Sequence, residues 1–191
     1  AEDVQTTVAD LDEYRDSYCA VTGTGSQSDI RTWDTGWTPP EKKDLHRSVK
    51  RLNRLNVPSV ALPYFLQLLN ETKWGRYKVK DAIACIGVVE AFLVRRAIVG
   101  REPTGLHAVF KSLWDPGITK PVDLENALVT KTIEFPNDED LEKAVKSVDM
   151  YSRKVRAYVL WEHNASFSGG DELAEEYWDN VEADHVMPQG L

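Results

Sequence analysis

One segment of this chain, residues 82–99, is more apolar than any other and limits the folds that the chain can adopt. Glu90, Arg95 and Arg96 interrupt it. A bilayer-spanning helix needs about 20 predominantly apolar residues and rarely contains charges. We therefore interpret the segment as a buried helix that ends at Gly100, and we predict no membrane partner.

Helical spacing recurs on both sides of that segment and predicts a mainly α fold, with a helical bundle-like domain. Apolar side chains at intervals of three and four residues mark one face of each predicted helix. Proline and asparagine supply helix starts, as at Pro63 and at Pro136-Asn137. We predict helices over 3–19, around 45–55, and over 60–71, 78–99, 106–113, 122–131, 138–148, 151–165 and 171–178.

The C-terminal residues depart from this helical pattern. Residues 181–187 roughly alternate between apolar and polar and lie between Asn180 and Pro188, which is typical of a strand. A lone strand needs partners, so we expect them beyond residue 191. The predicted domains are an N-terminal helix and polar loop (1–40), an all-helical domain (41–178) and the first strand of an incomplete unit (179–191).

Charge and cysteine content set broad limits on function. The 191 residues carry a formal net charge of −8 and include two cysteines, Cys19 and Cys85. The acidic balance argues against a dedicated nucleic-acid-binding domain, but it allows a local basic face. Two distant cysteines suggest neither a disulfide framework nor a zinc cluster and favour a reducing cytoplasm. The first residues lack the basic and apolar regions of a signal peptide.

A polar stretch over residues 22–40 is typical of a loop. Two interpretations stay open for it. It is partly disordered, or its tryptophans, Trp33 and Trp37, cover a surface of the helical domain.

Asp184 and His185 lie near the end of the predicted strand and are residue types found in hydrolytic sites. Imidazole has an unperturbed pKa of about 6.5 and can take a proton from water near neutral pH. A carboxylate is a suitable ligand for Mg²⁺, which can stabilise the leaving oxygen of a phosphodiester. The pair needs at least one further ligand to complete a metal site. A surface Asp-His pair without chemistry is the alternative.

The string over 184–189, Asp-His-Val-Met-Pro-Gln, resembles the first element of the His-Asn-His (HNH), or His-Me finger, nucleases. A similar string occurs in the target-strand nuclease domain of RNA-guided CRISPR effectors. The resemblance implies a ββα-metal fold in which His185 is the catalytic general base and Asp184 is a metal ligand. It also implies one divalent metal, expected to be Mg²⁺, and nicking of one DNA strand.

Upstream segments narrow this resemblance. Residues 92–100 and 103–106, and then 135–138 followed by Tyr151 and the helix over 153–161, resemble the helical region of GmrSD-type restriction endonucleases. Phosphorothioate-sensing antiphage proteins share that architecture. The resemblance covers roughly residues 60–189. It implies an antiphage restriction enzyme whose partners are DNA and an N-terminal nucleotide-hydrolysing domain of the same parent protein.

The later elements of that nuclease family, an Asn-containing strand and a helix with further ligands, have no counterpart in the sequence. We therefore expect a fragment that is inactive alone. The alternative function is a non-catalytic helical module that binds DNA or a partner protein.

A basic face is predicted on the helix around 45–55. At helical spacing, four cations lie opposite Leu45, Val49 and Leu52, where they can contact phosphates without sequence preference. The alternative is a solvated helix face. The four predicted DNA-binding residues are Arg47, Lys50, Arg51 and Arg54, and a second basic stretch holds Lys73, Arg76, Lys78 and Lys80.

The remaining candidates are interpreted as structural. Arg95 and Arg96 end the longest helix, where cations are favourable and can pair with acidic neighbours. His46 and His107 lie on predicted helices without acidic partners at ligand spacing. His163 lies at the end of a predicted helix that Asn164 terminates, and not at a strand end.

Overall fold

In a computed structural model of the chain, the regular structure of the described residues is helical. The structure describes residues 2–101, 104–113, 118, 120–129, 133–147 and 150–167. No strand occurs among these residues, which confirms a mainly α fold for them. The predicted helix over 171–178 and the predicted strand over 181–187 lie outside the described residues. The chain divides into two compact units, residues 1–147 and 148–191.

Eight α-helices belong to the described part of the first unit, and one belongs to that of the second. They are α1 (Glu2–Glu13), α2 (Arg15–Thr22), α3 (Pro39–Leu55), α4 (Leu62–Lys73), α5 (Val79–Val99), α6 (Leu106–Ser112), α7 (Pro121–Leu128), α8 (Asp138–Ser147) and α9 (Arg156–Phe167). The helices predicted from the sequence for α3 to α8 are confirmed. The last one begins at Arg156, after a 3₁₀ turn over Met150–Ser152, and not at residue 151.

The prediction of one uninterrupted helix over 3–19 is wrong, because the chain turns at Tyr14 between α1 and α2. Tyr14 has φ −87° and ψ −4°, outside the ideal helical range. At this junction Glu13 accepts a 2.9 Å hydrogen bond from the side-chain amide of Asn70 on α4. The turn thus lies where α2 joins the core, whereas Val4, Val8 and Leu11 of α1 are exposed.

The core of the first unit surrounds α5. This helix contacts α3, α4, α7 and α8, and Ile86, Val89 and Phe92 on it are fully buried. Gly100 adopts the left-handed conformation, with φ 77°, and ends α5 at the residue predicted for its stop. None of the described helices combines the length and the apolar character that crossing a bilayer requires.

The polar stretch before α3 covers a surface of this core. Ile30 is fully buried and Trp33 is 4% exposed, and the indoles of Trp33 and Trp37 lie 6.1 Å apart. Of the two interpretations of residues 22–40, the structure supports the covering role. Residues of this stretch therefore belong to the same core cluster as α3 to α5. The domain boundary predicted between residues 40 and 41 stays a prediction.

Two arginines at the end of α5 hold the segment that leads into α8. Arg95 donates to the carbonyl of Pro136 at 3.1 Å and pairs with Asp138 at 2.5 Å. Arg96 donates to the carbonyl of Glu134 at 3.1 Å. Burial lowers the pKa of Arg96, with Arg101 adding to this effect and Glu134 opposing it. The structural interpretation of Arg95 and Arg96 is confirmed.

In the second unit, α9 carries a short apolar face. Tyr158 is 5% exposed and Trp161 is 9% exposed. His163 lies on this helix, which does not end at Asn164 as predicted but continues to Phe167. The His163 ring packs edge-on against Phe167 at 4.9 Å. This aromatic contact is consistent with a structural role for His163.

Candidate nucleic-acid interface

The basic helix α3 begins with a capping box. Thr38 accepts from the backbone N–H of Glu41 at 3.5 Å, and the Glu41 carboxylate accepts from the backbone N–H of Thr38 at 2.9 Å. The Thr38 hydroxyl also donates to this carboxylate, and these bonds lower the pKa of Glu41. Pro39 follows at the first helical position, where its missing N–H costs little. The start of the helix is thus defined by its own sequence.

The inner face of α3 is apolar, as predicted. Leu45 and Leu52 are fully buried and Val49 is 2% exposed. At the end of the helix, Asn53 donates to the backbone carbonyl of Val21 on α2, and Asn56 adopts the left-handed conformation, with φ 53°. These contacts fix the rotation of α3, so its opposite face is directed away from the core.

The outer face carries the four cations predicted to bind DNA, and they differ in their surroundings. Arg47 is exposed and Lys50 is half-buried; among the described residues neither forms an ion pair. Arg51 contacts Glu90 of α5, with 2.5 Å between Nη2 and Oε1. Arg54 is half-buried. The structure brings all four to one helix, with Arg47 and Lys50 the most available to an external anion.

The second predicted basic stretch, residues 73–80, forms ion pairs within the protein. Lys73 lies 2.7 Å from Asp16, and Arg76 lies 2.6 Å from Glu71. Lys78 and Lys80 are exposed. Half of this stretch is therefore paired internally, and the outer face of α3 is the stronger candidate interface.

Lys73 occupies an aromatic pocket that the sequence did not reveal. Its ammonium lies 5.7 Å from the ring centre of Trp33 and 5.4 Å from that of Trp74, within cation–π range. Partial burial opposes the charged form of Asp16. The hydrogen bond and the charge of Lys73, helped by Arg15, outweigh this and lower the pKa of Asp16. Lys73 is thus a structural cation.

His46 is buried on the inner side of α3, at 4% exposure. Its Nδ1 accepts the backbone N–H of Ile30 at 3.3 Å. Nδ1 also lies 3.5 Å from Oδ1 of Asp29. The pKa of Asp29 is lowered mainly by its bonds with Arg31. These contacts confirm the structural interpretation of His46.

Asp184 and His185 lie outside the described residues. Within the part of the chain that the structure describes, no group of three His, Cys, Asp or Glu side chains is arranged to hold a metal ion. The Mg²⁺ site that the resemblance implies at Asp184 stays a prediction. His107 is exposed on α6.

Sequence reasoning missed the role of Glu90. This carboxylate is 6% exposed and meets Arg51 across the α3–α5 contact. The sequence did contain a signal for this role, because Glu90 lies inside the most apolar segment. A carboxylate buried there needs a cationic or hydrogen-bonding partner. The position of its partner on a helix 39 residues earlier could not be read from local spacing.

Comparisons with known proteins add no relative to this description. No family model, no curated protein and no solved structure matches the chain.

Proposed function

We propose that this chain is part of a metal-dependent DNA endonuclease of the HNH type, acting in restriction of phage DNA and nicking one strand per event. The observation that carries the proposal is the string over 184–189, where Asp184 and His185 precede an aliphatic pair and Pro-Gln. The segments over 92–100, 103–106 and 135–138, with Tyr151 and residues 153–161, support it by their resemblance to GmrSD-type enzymes.

Two side chains divide the chemistry in this proposal. His185 takes a proton from the attacking water, which an imidazole can do near neutral pH. Asp184 would help to hold a divalent cation such as Mg²⁺. When bound, that cation supplies charge stabilisation to the phosphodiester.

In this proposal the outer face of α3 binds the DNA substrate. Arg47 and Lys50 have no ion pair among the described residues, and α3 contains six basic residues against two acidic ones. Such a face attracts phosphates regardless of base sequence, and its affinity falls with salt. It would position the DNA, and the selection of a modification such as phosphorothioation would lie elsewhere.

The proposal includes a partner and a compartment. The partner is an N-terminal nucleotide-hydrolysing domain of the same parent protein, as the resemblance implies. The compartment is the cytoplasm, where the thiols of Cys19 and Cys85, both free of disulfides in the described residues, would stay reduced.

Plasmid nicking tests the catalytic assignment. The chain, and a version extended by the residues that its gene encodes after Leu191, are incubated with supercoiled plasmid and Mg²⁺. We expect open-circle product from the extended protein, about 10²-fold less from His185→Ala since a general base contributes that much or more, and none in excess chelator. His163→Ala, a histidine outside the motif, should cleave like the parent. Equal nicking by His185→Ala would refute the assignment.

A second candidate function, DNA binding without hydrolysis, is favoured by the α3 face alone. It predicts binding of the unmodified chain to duplex DNA but no Mg²⁺-dependent nicking by the extended protein. The two assays together distinguish the candidates, because the nuclease proposal requires both activities.

A further inference from the structure

Helix α1 presents an apolar stripe to solvent. Val4, Val8 and Leu11 follow each other at intervals of four and three residues, so they lie on one side of the helix. They are 66%, 59% and 68% exposed, respectively. Helical stripes of this kind ordinarily face a partner. Within the described structure nothing covers this one.

The charge of α1 restricts what that partner can be. Its twelve residues include five carboxylates and no basic residue. A helix of this composition is repelled by anionic lipid surfaces, which attract basic helices. A second α1 is also excluded, since two such helices would bring ten carboxylates together. The partner surface must therefore be basic, with apolar area beside the charges.

The outer face of α3 meets this description. Arg47 and Lys50 have no ion pair among the described residues, and their aliphatic stems offer apolar cover. Next to Glu90, the α5 residue that Arg51 contacts, Gly87 and Ala91 are exposed. A methyl group built at Gly87 meets nothing within 4 Å. Two small exposed residues of α5 thus flank the carboxylate that Arg51 contacts.

We propose that the chain forms a symmetric dimer in which α1 of each protomer lies along the outer face of α3 of its partner. Two equivalent contacts of this kind are what a two-fold axis generates. Val4, Val8 and Leu11 pack over the basic stems and the small residues of α5, and Arg47 and Lys50 lie beside a helix that carries only acidic charge. In this dimer the α1 stripe of each protomer is covered, and Arg47 and Lys50 of each protomer lie beside the acidic α1 of its partner.

Dimerisation would also regulate DNA binding by the outer face of α3. An acidic helix on α3 competes with phosphates for the same cations, so the dimer is the form that does not bind DNA. This consequence rests on the proposed function. The association itself does not, and sedimentation without DNA tests it separately.

Analytical ultracentrifugation of the chain between about 1 and 200 µM tests the dimer. We expect reversible dimerisation that weakens from 50 to 500 mM NaCl, since exposed charge pairs are screened. Val8→Asp, the pair Asp3→Lys/Asp10→Lys, and the pair Arg47→Glu/Lys50→Glu should each lower the association constant about tenfold or more. Combining the two charge reversals should restore it to within about threefold of the parent.

The matched control is Lys143→Glu/Lys146→Glu, which makes the same change in net charge on α8 and should leave association unchanged. Circular dichroism of each variant checks folding. None of the α1 side chains that the structure describes is buried, so Val8→Asp should melt like the parent. A monomer up to 200 µM would overturn the proposal. So would a dimer unaffected by the α1 or α3 variants, or a combined variant that fails to recover.

Discussion

The guanidinium of Arg51 lies 2.5 Å from the carboxylate of Glu90 and joins α3 to α5. The Glu90 side chain is 7% exposed, whereas that of Arg51 is 40% exposed. A carboxylate this deeply buried stays charged only with compensating partners. Arg51 therefore has a structural contact on one side and borders the proposed DNA-binding face on the other.

Replacing either member of this pair should destabilise the protein. We expect Arg51→Met to lower the free energy of unfolding by about 1–3 kcal/mol, below the 3–5 kcal/mol of fully buried pairs, because solvent reaches Arg51. The double variant Arg51→Met/Glu90→Met should lose less than the sum of the two single losses. Urea denaturation of all four proteins measures the coupling. Additive losses would mean that the contact contributes nothing specific.

DNA binding should depend on the outer face of α3 in a salt-dependent way. Each phosphate contact contributes about −0.9 to the slope of log K against log [salt]. If Arg47 and Lys50 each bind one phosphate, Arg47→Gln/Lys50→Gln should weaken binding and make that slope shallower by about 2. Fluorescence anisotropy with two unrelated duplexes should give the same loss for both, since phosphate contacts do not distinguish sequence.

The control for this experiment is Lys143→Gln/Lys146→Gln on α8, which also removes two positive charges but at a different place on the protein. Lys143 and Lys146 pair with Glu139 and Glu142 on the same helix. Their neutralisation should change binding only through net charge. Binding that responds equally to both pairs of substitutions would argue against a localised interface on α3.

Local signals in the sequence predicted much of this fold, because the helices depend on short-range periodicity and caps. Pro63 lies in the first turn of α4 and Gly100 ends α5, as the sequence predicted. The capping box of Thr38 and Glu41 that starts α3 was missed. The turn at Tyr14 was missed, since the apolar spacing continues through it and the contact that holds it comes from Asn70, far along the chain.

In the candidate site, too, helical spacing could be predicted from the local sequence, whereas contacts between distant segments could not. Helical spacing correctly placed Arg47, Lys50, Arg51 and Arg54 on one side of α3, opposite a buried apolar face. The pairing of Arg51 depends on Glu90 of another helix, and no periodic pattern in the sequence indicates it.

The ion pair between Asp16 and Lys73 should make stability depend on pH at the acidic end. The pKa of Asp16 is lowered in the folded protein. Its contribution is therefore complete above the unfolded pKa of about 3.9 and is lost as the pH falls through the folded value. We expect Asp16→Asn to cost about 1–2 kcal/mol at pH 7, and the difference from the parent to shrink below about pH 4.

Urea denaturation at pH 7, 4 and 3 measures this difference. Glu139→Gln, which removes an exposed partner of Lys143, is the comparison and should cost less than about 0.5 kcal/mol at pH 7. A gap between Asp16→Asn and the parent that stays constant down to pH 3 would show that the carboxylate charge is not the source of the stability.

Two glycines of the first unit should respond in opposite directions to the same substitution. Gly87 lies within α5, and a Cβ there meets nothing within 4 Å, so Gly87→Ala should stabilise the protein by about 0.5–1 kcal/mol through a lower entropy cost. Gly105 has φ +87°, and a Cβ there would lie 2.7 Å from Cδ1 of Ile133. Gly105→Ala should therefore cost about 1–2 kcal/mol. Thermal unfolding at low protein concentration compares the two variants, and a loss of stability in Gly87→Ala would indicate that the exposed side of α5 is covered in solution.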